Sequence, residues 1–139
     1  MLKVSLITIN YNNIEGLKKT FKSVLEQTYL FEYIVIDGGS TDGSKELIEQ
    51  YSTKITYWVS EPDQGIYHAM NKGIRVANGE YLLFLNSGDY LVDNNILKHI
   101  SHYLTSYDII YGNANFIDNS GNIYLSKYPE KLNFYCLVT

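Results

Sequence analysis

Residues 33–44 read Tyr-Ile-Val-Ile-Asp-Gly-Gly-Ser-Thr-Asp-Gly-Ser. The run from Phe31 to Ile36 is apolar and β-branched over the length of a buried strand, and it stops at once on Asp37, two glycines and a Ser/Thr turn. Leu47, Ile48 and Tyr51 then mark a short helix. A continuous apolar strand that ends in a glycine-rich polar loop and passes into a helix is one half of a parallel βαβ unit. A carboxylate at the end of such a strand is costly without a partner, so Asp37 is read as a ligand-edge residue.

The same unit recurs on both sides. Val4 to Ile9 is a strand that ends in Asn10-Tyr11-Asn12-Asn13, and a helix follows from Ile14 to about Gln27, with Leu17, Phe21, Val24 and Leu25 on one stripe. Ile55 to Val59 is a third strand, closed by Ser60 to Gly65, and the helix after it carries Ile66, Ala69, Met70, Gly73, Ile74 and Ala77 on one face before Asn78-Gly79. Tyr81 to Leu85 is a fourth strand, followed by Asn86-Ser87-Gly88-Asp89. Ile96, Leu97, Ile100 and Leu104 mark a further helix, with Asp93 or Asn94 as its cap. Strand and helix alternate four times, and strands two to four are expected to be covered on both faces. The fold class is α/β: a Rossmann-like, doubly wound, mostly parallel sheet flanked by helices. The rhythm then changes. Asp108 to Ile117 is strand-like, Asp118 to Gly121 is a turn, and Asn122 to Tyr128 returns as a C-terminal antiparallel β extension.

At 139 residues, 45% hydrophobic and 19% charged, the chain reads as a single domain over 1–139, with an ending that looks unfinished. A net charge of -4 without a basic stripe argues against a nucleic-acid partner. The charge is uneven: residues 1–30 hold four bases and two acids, whereas residues 31–90 hold nine acids and four bases. The single cysteine, Cys136, excludes an intramolecular disulfide framework and a cysteine-rich zinc site, and makes the cytoplasm the expected location. No stretch approaches 18 apolar residues, and Met1 to Asn10 turns polar too early for a secretory leader.

Ligands of open α/β sheets bind beyond the carboxyl ends of the strands. Four such ends carry polar or glycine-rich loops here, and three of them hold a carboxylate: Asp37, Asp63 and Asp89. Three acids converging on one edge repel unless a divalent cation, a ribose or a sugar sits among them. Plainer alternatives stand beside this. Asp63 and Asp89 suit a turn or helix cap, Asp42 a helix N-terminal charge, and Gly38, Gly39 and Gly43 turn dihedrals. His68 reads as packed or solvated, and His99 with His102 has no third metal ligand placed by the sequence. Tyr11 and Tyr67 lie on ligand-edge loops as candidates to stack on a base or sugar ring. Neither Gly-x-Gly-x-x-Gly after the first strand nor Gly-x4-Gly-Lys-Ser/Thr is present, which disfavours a nicotinamide dehydrogenase and a P-loop ATPase.

The succession VSLITINYNN, SVLEQTY, YIVIDGGSTDGS, SEPDQGIYHAMNKGI and NGEYLLFLNSGD, spread over residues 3 to about 126, resembles the N-terminal half of family 2 glycosyltransferases with the GT-A fold. The resemblance implies that Ile9, Asn10, Tyr11 and Asn12 pack on the base and ribose of a sugar nucleotide. It also implies that Asp37 accepts a hydrogen bond from uracil and that Asp63 to Gly65 close over the nucleotide. Asn86 to Asp89 fall where the family carries its Asp-x-Asp metal motif. By that likeness Asn86 joins the nucleotide-sugar site, and Asp89 is the acid for Mg2+ or Mn2+. Asn86 and Gly88 replace the two usual acids, and Gly38 replaces a second frequent Asp. The catalytic base, an acid of the acceptor-binding half, is expected beyond Thr139, so no residue here is assigned that role.

The expectation is an inverting glycosyltransferase, or its donor-binding half, that moves a sugar from a nucleoside diphosphate sugar, with UDP favoured, to an acceptor hydroxyl. The resemblance implies surface polysaccharide assembly on a saccharide or lipid-linked saccharide at the inner face of the membrane, although no basic amphipathic anchor is present. Two rivals stand beside it. One is a catalytically silent nucleotide-binding fragment; the other is a nucleotidyltransferase, weakened by the missing Gly-rich, Lys/Arg-bearing phosphate loop. Phe134, Tyr135 and Leu137 are candidates for a homodimer contact.

Overall fold

The computed structural model describes residues 3–128. The alternating apolar runs form β1 (Val4–Asn10), α1 (Ile14–Leu25), β2 (Glu32–Asp37), α2 (Ser44–Gln50), β3 (Tyr57–Ser60), α3 (Ile66–Val76), β4 (Tyr81–Phe84), α4 (Ile96–Ser101), β5 (Ala114–Ile117) and β6 (Ile123–Ser126). The first four strands make one parallel sheet in the order β3-β2-β1-β4. Its register sets Asn10 opposite Asp37 and Asp37 opposite Ser60, so three polar residues stand in a row at the carboxyl edge.

Period-two alternation divides the central strands between two cores. Leu6, Tyr33 and Val35 pack with Leu17, Phe21 and Val24 of α1, Ile48 of α2 and Leu97 of α4. Ile7, Ile9, Ile34 and Ile36 pack with Ala69 of α3. Helices therefore cover the sheet from both sides, as a doubly wound fold requires. At Gly73, α3 comes so close to β1 that an added Cβ would lie 2.6 Å from Ile7 Cγ2. At the opposite edge from the strand-end loops, buried Glu32 accepts hydrogen bonds from the Ser5 hydroxyl and from the backbone and side-chain nitrogens of Asn78. This anchors the turn between α3 and β4.

Several expectations are corrected. Strands three and four are not covered on both faces: they are the outer strands of the described sheet, and Tyr57 and Leu82 are about two-fifths exposed. β3 starts at Tyr57, not Ile55, because Ser52–Lys54 form a 3-10 turn that drops Ile55 into the core ahead of the strand. α1 stops at Leu25, since the Gln27 side chain is committed to the segment before α4. Asn95, not Asp93 or Asn94, precedes α4; Asp93 instead accepts the Asn95 N–H at 2.7 Å.

The chain divides after Leu104 into two units. In the second, β5 and β6 pair antiparallel, and the turn between them is held by Asp118, which accepts from the Ser120 and Asn122 backbone N–H groups. The strand expected from Asp108 shortens to Ala114–Ile117. Cys136, Phe134, Tyr135 and Leu137 lie outside the described residues. Among the described residues, no helix is long and apolar enough to cross a membrane.

Candidate functional site

Asp37 is fully buried at the end of β2. One carboxylate oxygen accepts from Asn10 Nδ2 at 2.7 Å and Ser40 Oγ at 2.5 Å; the other accepts from the Ser40 backbone N–H at 2.9 Å and Ser60 Oγ at 2.6 Å. An ionised carboxylate offers about four such sites, and here all are filled. Burial works to raise the Asp37 pKa, but the Ser40, Ser60 and Asn10 donors outweigh it and hold the group below its ordinary value. Asp37 thus ties the ends of β1, β2 and β3 into one anionic knot beneath the ligand edge.

Two further side chains bind the loops together. Asn12, in a left-handed backbone conformation, accepts the Thr41 N–H on its side-chain oxygen while its own backbone N–H donates to Ser40 Oγ. Asp42 accepts from the backbone N–H groups of Ile14 and Ser44, so one carboxylate serves the N-termini of both α1 and α2. Its expected role as a helix N-terminal charge is what the geometry shows.

The loop after β4 is held from α1. Asn13 caps α1 by accepting the Gly16 N–H and also donates to the Ser87 carbonyl, and Ser87 Oγ returns a bond to the Asn13 carbonyl. The buried Thr20 hydroxyl accepts the Gly88 N–H and donates to the Asp89 carbonyl. Asp89 itself is exposed.

The loop after β3 is held from α3. Lys72 forms a 2.9 Å ion pair with Glu61 and donates to the Pro62 carbonyl, and His68 Nδ1 accepts the Gln64 N–H. Asp63 accepts the Gly65 N–H, and its other oxygen lies against Gly38. A Cβ at residue 38 would sit 2.9 Å from that oxygen and 3.1 Å from the Tyr11 ring, so glycine is what lets Asp63 and Tyr11 close on the β2 loop.

Together these loops enclose a cleft of about 640 Å³, lined by Ile9, Asn10, Tyr11, Asn13, Gly38, Gly39, Pro62, Asp63, Gly65, Ile66, Asn86 and Ser87. Of the residues expected in a nucleotide site, Ile9, Asn10, Tyr11, Asp63, Gly65 and Asn86 line it; Asn12 and Asp37 are not among its lining residues, and neither is Asp89, the acid expected for the metal. The expected convergence of three acids is corrected. Among the described residues, no three His, Cys, Asp or Glu side chains are grouped to hold a metal, and both Asp37 oxygens are already filled by protein donors. Asp89, with amide and hydroxyl oxygens nearby in sequence, is an oxygen-only donor set. Oxygen donors are the set a hard cation prefers, and a protein-only metal cage is not formed among the described residues. Thr20, Ser40 and Ser60 were missed in the sequence: Ser40 and Ser60 meet the strand-end acid Asp37, whereas Thr20 meets backbone groups of Gly88 and Asp89 and has no local signal.

The profile of glycosyl transferase family 2 matches residues 5–136. The glycosyltransferase AglE of Haloferax volcanii is 33% identical over 138 residues, covering 94% of this chain and 45% of AglE. WfgD of Escherichia coli, a UDP-Glc:α-D-GlcNAc-diphosphoundecaprenol β-1,3-glucosyltransferase, is 29% identical over 134 residues, covering 94% of this chain and 53% of WfgD. The structure of S. aureus TarS 1–349 in complex with UDP-GlcNAc superimposes with a TM-score of 0.66 at 27% identity, over 73% of this chain and 31% of that one. The chain spans about half the length of AglE and WfgD. Its parallel sheet with helices on both faces is the GT-A arrangement of these neighbours. A profile match over nearly the whole chain, on a sheet that brings the quoted loops to one edge, means that the chain belongs to glycosyl transferase family 2.

Proposed function

We propose that this chain is the donor-binding half of an inverting glycosyltransferase that draws a sugar from a UDP-sugar and passes it to the hydroxyl of a saccharide or lipid-linked saccharide. The observation that carries the reading is the cleft at the carboxyl edge, whose volume suits a nucleoside diphosphate. Tyr11, two-thirds exposed on its wall, offers a ring face to a base, while Ile9 and Ile66 supply apolar contact. Asn10, Asn86 and Ser87 bring amide and hydroxyl groups for ribose and sugar hydroxyls, and the Asp63–Gly65 loop covers the nucleotide. Asp37 acts from below by fixing the Asn10 carboxamide and Ser40; to accept from a base directly it would have to release one of them. The UDP-Glc donor in the name of WfgD and the UDP-GlcNAc bound to TarS support UDP here. The diphosphoundecaprenol-linked acceptor in the name of WfgD supports a saccharide on a lipid diphosphate as the acceptor here, the setting in which we place surface polysaccharide assembly at the inner membrane face.

In the reaction, an ionised carboxylate outside these residues takes the acceptor proton as general base, and the acceptor oxygen attacks the anomeric carbon. The bond to the diphosphate oxygen breaks on the opposite side, inverting the centre. Mg2+ or Mn2+, when bound, neutralises the departing diphosphate. Asp89 is the residue of this chain that would hold it.

Calorimetric titration in Mn2+ with UDP, GDP and dTDP tests the donor site. UDP is expected to bind, and Tyr11→Ala to weaken it about tenfold through lost stacking. Absence of binding by all three nucleotides removes the reading. Turnover of a UDP-sugar by this chain, abolished in Asp89→Ala, would exclude a silent module.

A further inference from the structure

Beside its apolar stripe, α1 carries a second stripe at residues 20 and 23, continued by Gln27 just past the helix end, and all three side chains bond to the segment that follows β4. Thr20 Oγ1 accepts the Gly88 N–H at 3.0 Å and donates to the Asp89 carbonyl at 2.7 Å. Ser23 Oγ accepts the Leu91 N–H at 3.2 Å. Gln27 donates to the Asp93 carbonyl at 2.6 Å and accepts the Leu97 N–H at 3.1 Å. Spacings of three and four keep these residues on one line of the helix surface. Leu85 and Ser87 still donate backbone bonds to Ile7 and Ile9 of β1, and the Asp89 N–H donates to the Asn86 carbonyl; in the rest of the stretch that leads to α4, outside any strand or helix, α1 side chains supply further partners.

Within this set Thr20 differs from the rest. It is fully buried, and its single hydroxyl grips the chain on both sides of the Gly88–Asp89 peptide. Gly88 has a left-handed φ of +106°, and with no Cβ a glycine restricts the local backbone little, so the loop path here is set by its hydrogen bonds. Asp89 is exposed, and among the described residues it belongs to no group of three or more His, Cys, Asp or Glu side chains that could hold a metal. A lone carboxylate on a loop depends on its backbone being held.

We propose that Thr20 is a positioning residue for Asp89, setting the carboxylate where it meets the cation of a bound nucleoside diphosphate. This rests on the donor-site reading above and assigns no contact between Thr20 and the ligand. Hydrogen-bonded partners one step removed from a metal ligand commonly control affinity by 10–100-fold.

The test is Mn2+ binding in the presence of saturating UDP, read by loss of the free-ion paramagnetic resonance signal, together with amide hydrogen exchange at Gly88. Thr20→Val, close in shape but without the hydroxyl, is expected to weaken Mn2+ about tenfold and to expose the Gly88 amide. UDP affinity in EDTA should stay within about twofold, and Thr20→Ser should restore both readouts. If the valine variant fails to fold, Thr20→Ala is measured instead, since it adds no atoms. Wild-type Mn2+ affinity in a folded variant without the hydroxyl overturns the proposal, provided that Asp89→Ala abolishes binding. If Asp89→Ala itself binds Mn2+ normally, the metal reading of Asp89 falls and the proposal falls with it.

Discussion

Asp37 is charged and buried at once, a combination that survives only because four donors meet it. Its depressed pKa means that it contributes stability at pH values above the ordinary carboxylate range, near 4, and that this contribution is lost as pH falls through the lowered folded-state value. Asp37→Asn turns one acceptor oxygen into an amide that faces donors. Urea unfolding at pH 7 should therefore show a loss of about 2–3 kcal/mol, shrinking as the pH is taken below the ordinary carboxylate range and through the lowered folded-state value. An unchanged difference at both pH values would refute the electrostatic account. The station of Asp37 was legible, because an apolar run broken by Asp and two glycines has few other readings. Its partners were not. Ser60 lies 23 residues away and Asn10 lies 27 away, and nothing local in either residue shows that it points at Asp37. Thr20 was hidden for the same reason: its partners, Gly88 and Asp89, are 68 and 69 residues distant.

At the scale of elements, periodicity located every strand of the parallel sheet and each helix, because burial on a sheet face or a helix stripe repeats within a few residues. The ends were less legible, since they are decided by tertiary bonds such as those that draw Gln27 away from α1. Gly73 is a case in which the stripe was visible and its meaning was not. It sits on the apolar face of α3, where alanine would ordinarily favour the helix by about 1 kcal/mol. The contact with Ile7 reverses that sign, because a Cβ would meet Ile7 Cγ2 at 2.6 Å. Gly73→Ala should cost about 1–3 kcal/mol by wedging α3 off β1, and in an Ile7→Ala background the same change should cost at least 1 kcal/mol less. Thermal or urea unfolding of the four proteins measures the coupling. Additive effects would show that the helix moves without resistance from β1.

Across the whole molecule, the acid surplus of residues 31–90 has two destinations. Part of it is structural: Glu32 and Asp37 are buried among donors, and Asp42 joins two helix ends. The remainder includes Asp63, which lines the cleft, and Asp89 on the loop after β4; in the proposed donor site both would face an incoming diphosphate of like sign. A cation reverses the consequence of Asp89, from repulsion without it to a bridge with it. The prediction is therefore one of sign. Asp89→Ala should weaken UDP at least tenfold in Mn2+, about 1.4 kcal/mol, yet strengthen it by up to about threefold in EDTA, the scale of one unit charge several ångströms away in water. Calorimetry on both proteins in both buffers reads the crossover directly. A variant that weakens UDP equally with and without the metal would mean that Asp89 supports the loop rather than the cation, and affinity unaffected in either buffer would move the diphosphate away from the Asn86–Asp89 loop altogether.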